Sequence, residues 1–136
     1  MNALSEVPVT AVPIERFRPL LGEGYREIEA AVAQAQDVLS GRIVWHVNST
    51  AYGGGVAEML HSLLAYARGA GADVRWMTIS GNPDFFQITK RIHNHLHESP
   101  GDGGPLGPAE RKIYEAALLE AADELSQIVQ PGDIVY

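Results

Sequence analysis

The residues best placed to do chemistry form a glycine-rich turn, Gly53, Gly54 and Gly55, shortly after an apolar run that ends at Val47. Consecutive glycines let the backbone approach a ligand closely. A helix is predicted from Val56 onward, and its unpaired amides and positive dipole end would face the same ligand. A phosphate or diphosphate suits this arrangement, although the glycines are also compatible with a plain tight turn between a strand and a helix.

The turn matches neither of two common phosphate-binding patterns. Val56-Ala57-Glu58 places no third glycine where the dinucleotide pattern G-x-G-x-x-G needs one, and the Gly-Lys-Ser/Thr ending of a P-loop is absent. A nicotinamide-dependent oxidoreductase would also need an acidic residue at the end of the second strand, where Thr78-Ile79-Ser80 supplies none. That class therefore ranks behind the other interpretations.

The polar residues around the turn have two interpretations each. Glu58 could bond to an N-cap amide in the first helical turn, or it could contact a sugar hydroxyl. Asn48, Ser49 and Thr50 could form the turn itself, or they could bind hydroxyls at the carboxyl end of the strand. His46 lies within the strand and is expected to be a core histidine.

A second polar group lies on a helix predicted further along the chain. His93 and His97 share a helix face, but no third ligand is evident, so no metal site is predicted. Lys90 and Arg91 are consistent with a solvated face, although Lys90 and His93 lie within one turn and could line the rim of a cleft. The aromatic pair at 85–86 is expected in the core.

Alternating strands and helices must position these residues. Strands separated by helices require right-handed crossovers and a parallel sheet. The predicted fold class is therefore α/β, a Rossmann-like parallel sheet with flanking helices, with its first strand central and covered on both faces. Strands are predicted near 42–47, 73–79 and 133–136, and helices over about 25–39, 56–69, 84–97 and 108–129.

The rest of the chain is divided as follows. Residues 1–22 contain Pro8, Pro13 and Pro19 and are predicted to form an arm that lies on the body, while 23–136 form one partial domain. The Gly- and Pro-rich segment 99–107 is predicted to be a mobile surface loop. Helical spacing predicts these inward residues: Ile28, Ala31, Val32, Ala35, Val38 and Leu39; Val56, Met59, Leu60, Leu63, Leu64 and Ala67; Ile113, Ala117, Leu118, Ala121, Leu125 and Ile128.

The composition excludes several classes of protein. Ten Lys plus Arg against 17 Asp plus Glu give a net charge of −7, the wrong sign for binding nucleic acid. Without Cys there is no disulfide, thiolate metal site or thiol nucleophile. No run approaches the ~20 apolar residues of a membrane span, and the start lacks the pattern of a signal peptide. We therefore expect a cytoplasmic protein with no nucleic-acid or membrane partner.

Two motifs carry a resemblance to a known family. The stretch 44–60, VWHVNSTAYGGGVAEML, closely resembles the start of the trehalose-synthesising glycosyltransferases and trehalose phosphorylases. A second match, Phe85-Phe86 with Thr89-Lys90 and His93-Asn94, follows in the same order, and the resemblance spans roughly residues 16–136. Family members continue with Leu-Gln-Gly after the His-Asn pair, whereas HLHE stands here at 95–98, which leaves the acceptor preference open.

The resemblance implies the N-terminal, acceptor-side part of a retaining GT-B glycosyltransferase of family four, whose C-terminal donor domain is absent from this chain. It implies transfer of glucose from a nucleoside diphosphate glucose to glucose, giving trehalose, with no cofactor or obligatory metal. The donor's own phosphate would help to remove the acceptor proton, so no catalytic residue is assigned here. The implied substrate-binding residues are Gly53, Gly54 and Gly55 near the donor diphosphate or transferred sugar, and Tyr52, Glu58, Lys90, His93 and Asn94 in the cleft.

Two further functions stay open: the related phosphorylase reaction and a non-catalytic sugar-binding remnant. The donor nucleotide and homodimerisation of the full-length protein are also left open. In the family, the strand that begins at Asp133 continues into a His-Asp-Pro turn, which this sequence lacks. We therefore expect a truncated chain, inactive alone and marginally stable unless a partner covers its sheet.

Overall fold

A computed structural model describes residues 2–136 of the chain. Strands and helices alternate along most of its length, which confirms the predicted α/β class. In chain order the elements are β1 (Leu4–Val7), α1 (Arg18–Leu21), α2 (Tyr25–Leu39), β2 (Val44–Asn48), α3 (Gly55–Gly69), β3 (Val74–Ile79), α4 (Pro83–Leu96), α5 (Pro108–Ile128) and β4 (Ile134–Val135), with 3₁₀ turns at Ile14–Phe17 and Gly22–Gly24.

The four strands form one mixed sheet in the order β1-β3-β2-β4. Strand β2 pairs in parallel with β3, where Val44 lies opposite Val74, and with β4, where Val44 lies opposite Ile134. The prediction of parallel pairing with β2 at the centre is therefore confirmed. Since parallel strands end at the same edge of a sheet, Asn48 and Thr78, which are register partners, lie side by side at its carboxyl edge.

The chain divides into two compact units, each made of segments that are distant in sequence. The first unit comprises the residues up to Ser5 together with Ile79–Ile128, and it contains α4 and α5. The second comprises Glu6–Thr78 and Val129–Tyr136, and it contains α2, α3, β2, β4 and most of β3.

Helix α3 covers the sheet of the second unit with a narrower face than predicted. Leu60 and Leu64 are buried, but Val56, Met59 and Leu63 are 60%, 56% and 50% exposed. At about 100° per residue, the predicted positions span about 140° of the helix surface, and only part of that arc meets the sheet. The main buried cluster of this unit consists of Val7, Val44, Ala57, Leu60, Leu64, Val74 and Trp76.

The predicted face of α2 is also displaced. Ile28, Val32 and Leu39 are half-buried and Tyr25 is fully buried, whereas Val38 is 59% exposed. The buried side of the helix is centred on Tyr25, Ile28, Val32 and Leu39, which project within about 60° of one another at about 100° per residue. Three residues that were predicted to face inward lie beside this buried side and are exposed: Ala31, Ala35 and Val38.

Helix α5 of the first unit largely matches its predicted face. Ala121 is buried, while Ile128 is 37% exposed because it is the last residue of the helix. Helix α4 packs against α5, and the rings of Phe85 and Tyr114 stack with centroids 5.7 Å apart. Phe85 is therefore core as predicted, whereas Phe86 is 38% exposed.

One carboxylate joins β4 to the centre of the sheet. Asp133 accepts hydrogen bonds from the amide of Ile43 at 2.9 Å, the indole of Trp45 at 3.0 Å and the amide of Gln130 at 2.9 Å. The hydrogen bonds from the Gln130 and Ile43 amides, followed by that from Trp45, hold the pKa of this carboxyl below its ordinary value. The short edge strand is thus secured by the residue that precedes it.

The Pro-rich first segment contains regular structure that its composition did not indicate. It includes strand β1 and helix α1, and within the second unit the amide of Val12 donates to the carbonyl of Ala65 in α3 at 2.9 Å. The carbonyl of Val12 lies directly against Gly69, where any side chain would collide with it. Over residues 2–136, no helix is both long enough and apolar enough to cross a membrane.

Candidate functional site

The glycine turn follows β2 and has a backbone that only glycine adopts readily. Gly53 has a φ of 74° and Gly54 a φ of 151°, both in the region where a side chain is strained. A Cβ atom on Gly53, Gly54 or Gly55 would meet no heavy atom within 4 Å. Gly53 and Gly54 therefore serve the backbone conformation, and the space above the turn is open to solvent or a ligand.

The start of α3 presents amides without a side-chain cap. Gly54 is the N-cap residue, and no side chain bonds to the amides of the first turn. The first helical hydrogen bond runs from the Glu58 amide to the Gly54 carbonyl at 3.1 Å, so the amides of Gly55, Val56 and Ala57 precede it. Because these amides coincide with the positive end of a 15-residue helix, an anionic group is favoured here.

The short polar residues before the glycines build the turn. Asn48 accepts a hydrogen bond from the Trp76 indole at 2.7 Å and donates to the carbonyl of Thr50 at 2.8 Å. The hydroxyl of Thr50 accepts from the amide of Tyr52 at 3.1 Å and donates to the carbonyl of the same residue at 2.6 Å. Of the two interpretations for Asn48 and Thr50, these contacts show the turn-forming one.

Tyr52 and Glu58 extend from the turn into solvent. The side chain of Tyr52 is 73% exposed, with its ring 5.5 Å from that of His61. Glu58 is exposed in the first turn of α3, and over residues 2–136 its carboxylate has no hydrogen bond or ion pair. The capping use of Glu58 is therefore not realised, and its carboxylate is available to a ligand.

His61 was not selected in the sequence analysis, yet it supports the turn. Its Nε2 atom lies 2.9 Å from the carbonyl oxygen of Ala51, and its ring stands edge-on to the ring of Trp76 at 4.8 Å. His61 lies on α3 and Trp76 on β3, so the contacts arise only when helix and strand pack together. A polar residue within an apolar helical stretch was the only available signal.

The remaining predicted site residues lie on α4, in the first unit. Lys90 and His93 are exposed and one turn apart, and over residues 2–136 Lys90 has no ion pair. Asn94 is half-buried, its carbonyl accepts hydrogen bonds from the amides of His97 and Ser99, and its side chain lies against Gly101. The structure thus brings Tyr52, the glycines and Glu58 together in one unit, and Lys90, His93 and Asn94 together in the other.

Arg91 is not part of a solvated face, contrary to the prediction. Its side chain is 14% exposed, and its Nε atom donates to the carboxylate of Asp102 at 2.8 and 2.9 Å. The guanidinium fills the space beside Gly104, where a side chain would collide with it, and donates to the carbonyl of Pro105 at 3.2 Å. Arg91 therefore holds the Gly-rich loop 99–107 against α4, so that loop is tied to the helix at several points.

The histidines show no metal centre over residues 2–136. The rings of His93 and His97 lie 4.5 Å apart, but no three His, Cys, Asp or Glu side chains in that range come together. His46 is half-buried, and its ring stacks on that of Tyr136 at 5.4 Å. Burial lowers the pKa of His46, which favours the neutral ring expected of a core histidine.

Comparison with known proteins identifies similar chains. A protein-family model described as "Trehalose synthase, N-terminal domain" matches residues 46–136. The trehalose synthase of Rubrobacter xylanophilus is 38% identical over 111 residues, and that of Pyrococcus horikoshii is 42% identical over 83 residues. The trehalose phosphorylase of Pleurotus pulmonarius is 31% identical over 108 residues.

The matches cover most of this chain but a small part of each relative. They include 82% of this chain for the Rubrobacter protein, 61% for the Pyrococcus protein and 79% for the Pleurotus protein. The corresponding shares of the relatives are 26%, 19% and 14%. The chain therefore spans about a quarter of the length of the Rubrobacter enzyme. The glycine turn lies inside residues 46–136, which the family model matches.

Proposed function

The chain belongs to the family of trehalose synthase N-terminal domains, and we propose that it is the acceptor-side part of a retaining glycosyltransferase of the GT-B type. The reaction proposed is transfer of glucose from a nucleoside diphosphate glucose to a second glucose, giving trehalose. The bond from the anomeric carbon to the diphosphate breaks, a bond to the acceptor oxygen forms, and the acceptor proton passes to the leaving phosphate. No side chain of this chain acts as the nucleophile.

The open turn before α3 is the observation that supports this function best. Its glycines leave the approach to the backbone clear, and three uncapped amides at a positive helix end stabilise negative charge. Charge on the diphosphate grows as the glycosidic bond to it breaks, so amides fixed beforehand would favour the transition state over the ground state. We assign Gly53, Gly54 and Gly55 to the donor diphosphate or the transferred sugar.

The other candidate residues are assigned to sugar hydroxyls. Glu58 and Tyr52 carry polar atoms that are exposed beside the turn, and Lys90 and His93 are exposed on α4. Carboxylate, phenol, ammonium and imidazole groups all form hydrogen bonds with hydroxyls. Asn94 is the weakest member of the set, because its carbonyl and side chain are engaged at the end of α4. No metal or other cofactor is required by this assignment.

A second candidate function is the trehalose phosphorylase reaction. It is favoured by the 31% identity to the Pleurotus pulmonarius phosphorylase over 79% of this chain. An anion site at the start of α3 would serve free phosphate as well as a diphosphate, so the turn does not separate the two reactions. A third candidate is a non-catalytic sugar-binding module.

The test is isothermal titration of the purified chain with glucose, trehalose and ADP-, UDP- and GDP-glucose, after circular dichroism has shown that the chain is folded. We expect weak binding of glucose or trehalose that is lost in Lys90→Ala or His93→Ala. The matched controls, Lys112→Ala and His95→Ala, change exposed residues of the same types in the same unit and should bind as the parent does. A folded parent that binds none of the five compounds would contradict the proposed function.

A matched pair of glycine variants tests the turn itself. Gly53 and Gly41 have φ values of 74° and 70° and open space around the missing side chain, but Gly41 lies at the opposite end of β2. Alanine at either position should cost about 1–2 kcal/mol of stability, because both impose a left-handed backbone. Only Gly53→Ala should weaken binding of the nucleotide sugars, and equal weakening in Gly41→Ala would remove the turn from the site.

A further inference from the structure

A side chain of α3, the helix that follows the glycine turn, forms a hydrogen bond with the carbonyl of Ala51. His61 lies two helical turns into α3, and its Nε2 atom is 2.9 Å from the Ala51 carbonyl oxygen. Since a carbonyl oxygen only accepts hydrogen bonds, Nε2 must carry the proton. This hydrogen bond therefore links Ala51 to His61 and fixes the segment between them, which contains the glycine turn, to α3.

A second side chain supports the same segment from the strand side. Trp76 is completely buried, and its indole donates to the Asn48 side chain at 2.7 Å. Asn48 in turn donates to the carbonyl of Thr50 at 2.8 Å. The ring of His61 packs edge-on against Trp76 at 4.8 Å, so the two supports contact each other and act on adjacent residues, Thr50 and Ala51.

The turn needs such support because its glycines contribute little that would hold the backbone in place. Glycines have the largest conformational freedom to lose, and Gly53 and Gly54 have no side chains with which to make contacts. The N-cap of α3 forms no side-chain hydrogen bond, so this source of order is also missing. Tyr52 is 73% exposed, and the ring nearest to it is that of His61, at 5.5 Å.

We propose that His61, backed by Trp76, is the positioning residue of the glycine turn, which it holds in the ligand-binding conformation through the hydrogen bond from Nε2 to the Ala51 carbonyl. The ligand assigned to the turn rests on the proposed function, a nucleoside diphosphate sugar. The positioning itself rests only on contacts within the second unit. A turn ordered beforehand binds its ligand more tightly, because the entropy of ordering is already lost in the free protein.

The variants separate the hydrogen bond from the ring. His61→Phe keeps an aromatic ring against Trp76 and removes the donor, whereas His61→Gln loses the ring and keeps an N–H donor at a similar reach. The controls are His95→Phe and His95→Gln, which make the same changes at an exposed histidine on α4. Circular dichroism establishes that each variant is folded.

The first measurement needs no variant and no ligand. In the parent chain, long-range proton–nitrogen NMR spectra of the imidazoles should show His61 as the tautomer protonated on Nε2. Order parameters of the Gly53, Gly54 and Gly55 amides should be about 0.85 in the parent and below about 0.6 in His61→Phe, with recovery in His61→Gln. A parent His61 protonated only on Nδ1, or glycines equally rigid in the parent and in His61→Phe, would overturn the proposal.

Titration with UDP-glucose and ADP-glucose forms the second arm. If the parent binds either compound, His61→Phe should bind about tenfold more weakly, His61→Gln within about threefold of the parent, and both His95 variants as the parent does. If the parent binds neither while the order parameters change as expected, the assignment of the glycine turn to the nucleotide sugar fails and the positioning role stands. If the glycine amides have the same order parameters in His61→Phe as in the parent, the positioning role is wrong, whatever the parent binds.

Discussion

Arg91 and Asp102 illustrate how a pair of side chains can order a loop made mostly of glycine and proline. The carboxylate of Asp102 accepts from the Arg91 guanidinium at 2.8 Å, from the Gly104 amide at 3.0 Å and from the Gln87 side chain at 3.0 Å. In the sequence, Arg91 follows a lysine on a polar helix face, and nothing local indicates that a residue eleven positions later will pair with it. The loop therefore has a defined anchor despite its composition.

The pH dependence of this anchor follows from the Asp102 carboxyl. The hydrogen bond from Arg91, helped by the Gly104 amide, lowers the pKa of Asp102 from 3.8 to about 2. A depressed folded-state pKa contributes stability above the unfolded value, and that contribution is lost as the pH falls from about 4 towards 2. We expect the NMR titration of the Asp102 carboxyl carbon to have its midpoint in the lower part of that window.

Arg91→Gln is the variant that tests the cause. It should move the Asp102 midpoint upward towards 3.8, and the amides of the loop 99–107 should become more mobile. Arg111→Gln is the control, since Arg111 pairs with Glu115 on the exposed side of α5 and should leave Asp102 unchanged. An Asp102 midpoint near 3.8 in the parent would show that the ion pair does not form in solution.

The candidate site was predictable from the sequence only where the chemistry is local. Gly53 and Gly54 could be identified because a positive φ restricts the residue type at that position itself. His61 and Trp76 could not, because their role depends on α3 packing over β3 so that both side chains reach the same turn. A long-range contact of this kind leaves no pattern of spacing in the sequence.

Helix ends were also predictable, because the conformation at a helix end restricts the residue types at that end. Asn82 caps α4 by accepting from the Phe85 amide at 2.8 Å, proline occupies the first helical position, and both residue types are common at the start of a helix. Strand β1 was missed because its four residues, Leu4–Val7, are too few to show alternation and are followed directly by Pro8. Its place in the sheet is decided by pairing with other strands, which the local sequence does not specify.

The buried face of α3 gives a matched test of element packing. Leu60 is 5% exposed and Leu63 is 50% exposed on the same helix, although both were predicted to be inward. Leu60→Ala should lower the free energy of unfolding by about 2–5 kcal/mol, because it leaves a cavity between the helix and the sheet. Leu63→Ala should lower it by less than about 1 kcal/mol, because its side chain is largely solvated already.

Urea unfolding followed by circular dichroism measures both leucine variants. The parent and the two variants should share the same slope of unfolding free energy against urea, so that only the midpoints differ. Similar losses for Leu60→Ala and Leu63→Ala would mean that the outer apolar stripe, Val56, Met59 and Leu63, is covered in solution. That result would assign the stripe to an interface rather than to the free surface of α3.

At the scale of the whole molecule, the two compact units differ in how much apolar core each contains. Four of the buried apolar residues found over positions 2–136, namely Leu4, Phe85, Ile88 and Ala121, belong to the first unit, and all the others belong to the second. The second unit also contains both tryptophans in its core. Since buried apolar area is the main source of folding free energy, the second unit should be the more stable one.

Native-state hydrogen exchange of the chain tests this ranking. Amides that open only with the core of a unit report its stability, so the slowest amides of β2, β3 and α3 should exchange more slowly than the slowest of α4 and α5. Ile88→Ala, which truncates a residue 4% exposed in the first unit, should accelerate exchange in α4 and α5. Equal protection of the slowest amides in both units would contradict the ranking. It would show that the two units unfold in one cooperative step, and that the first unit, despite its smaller core, is as stable as the second.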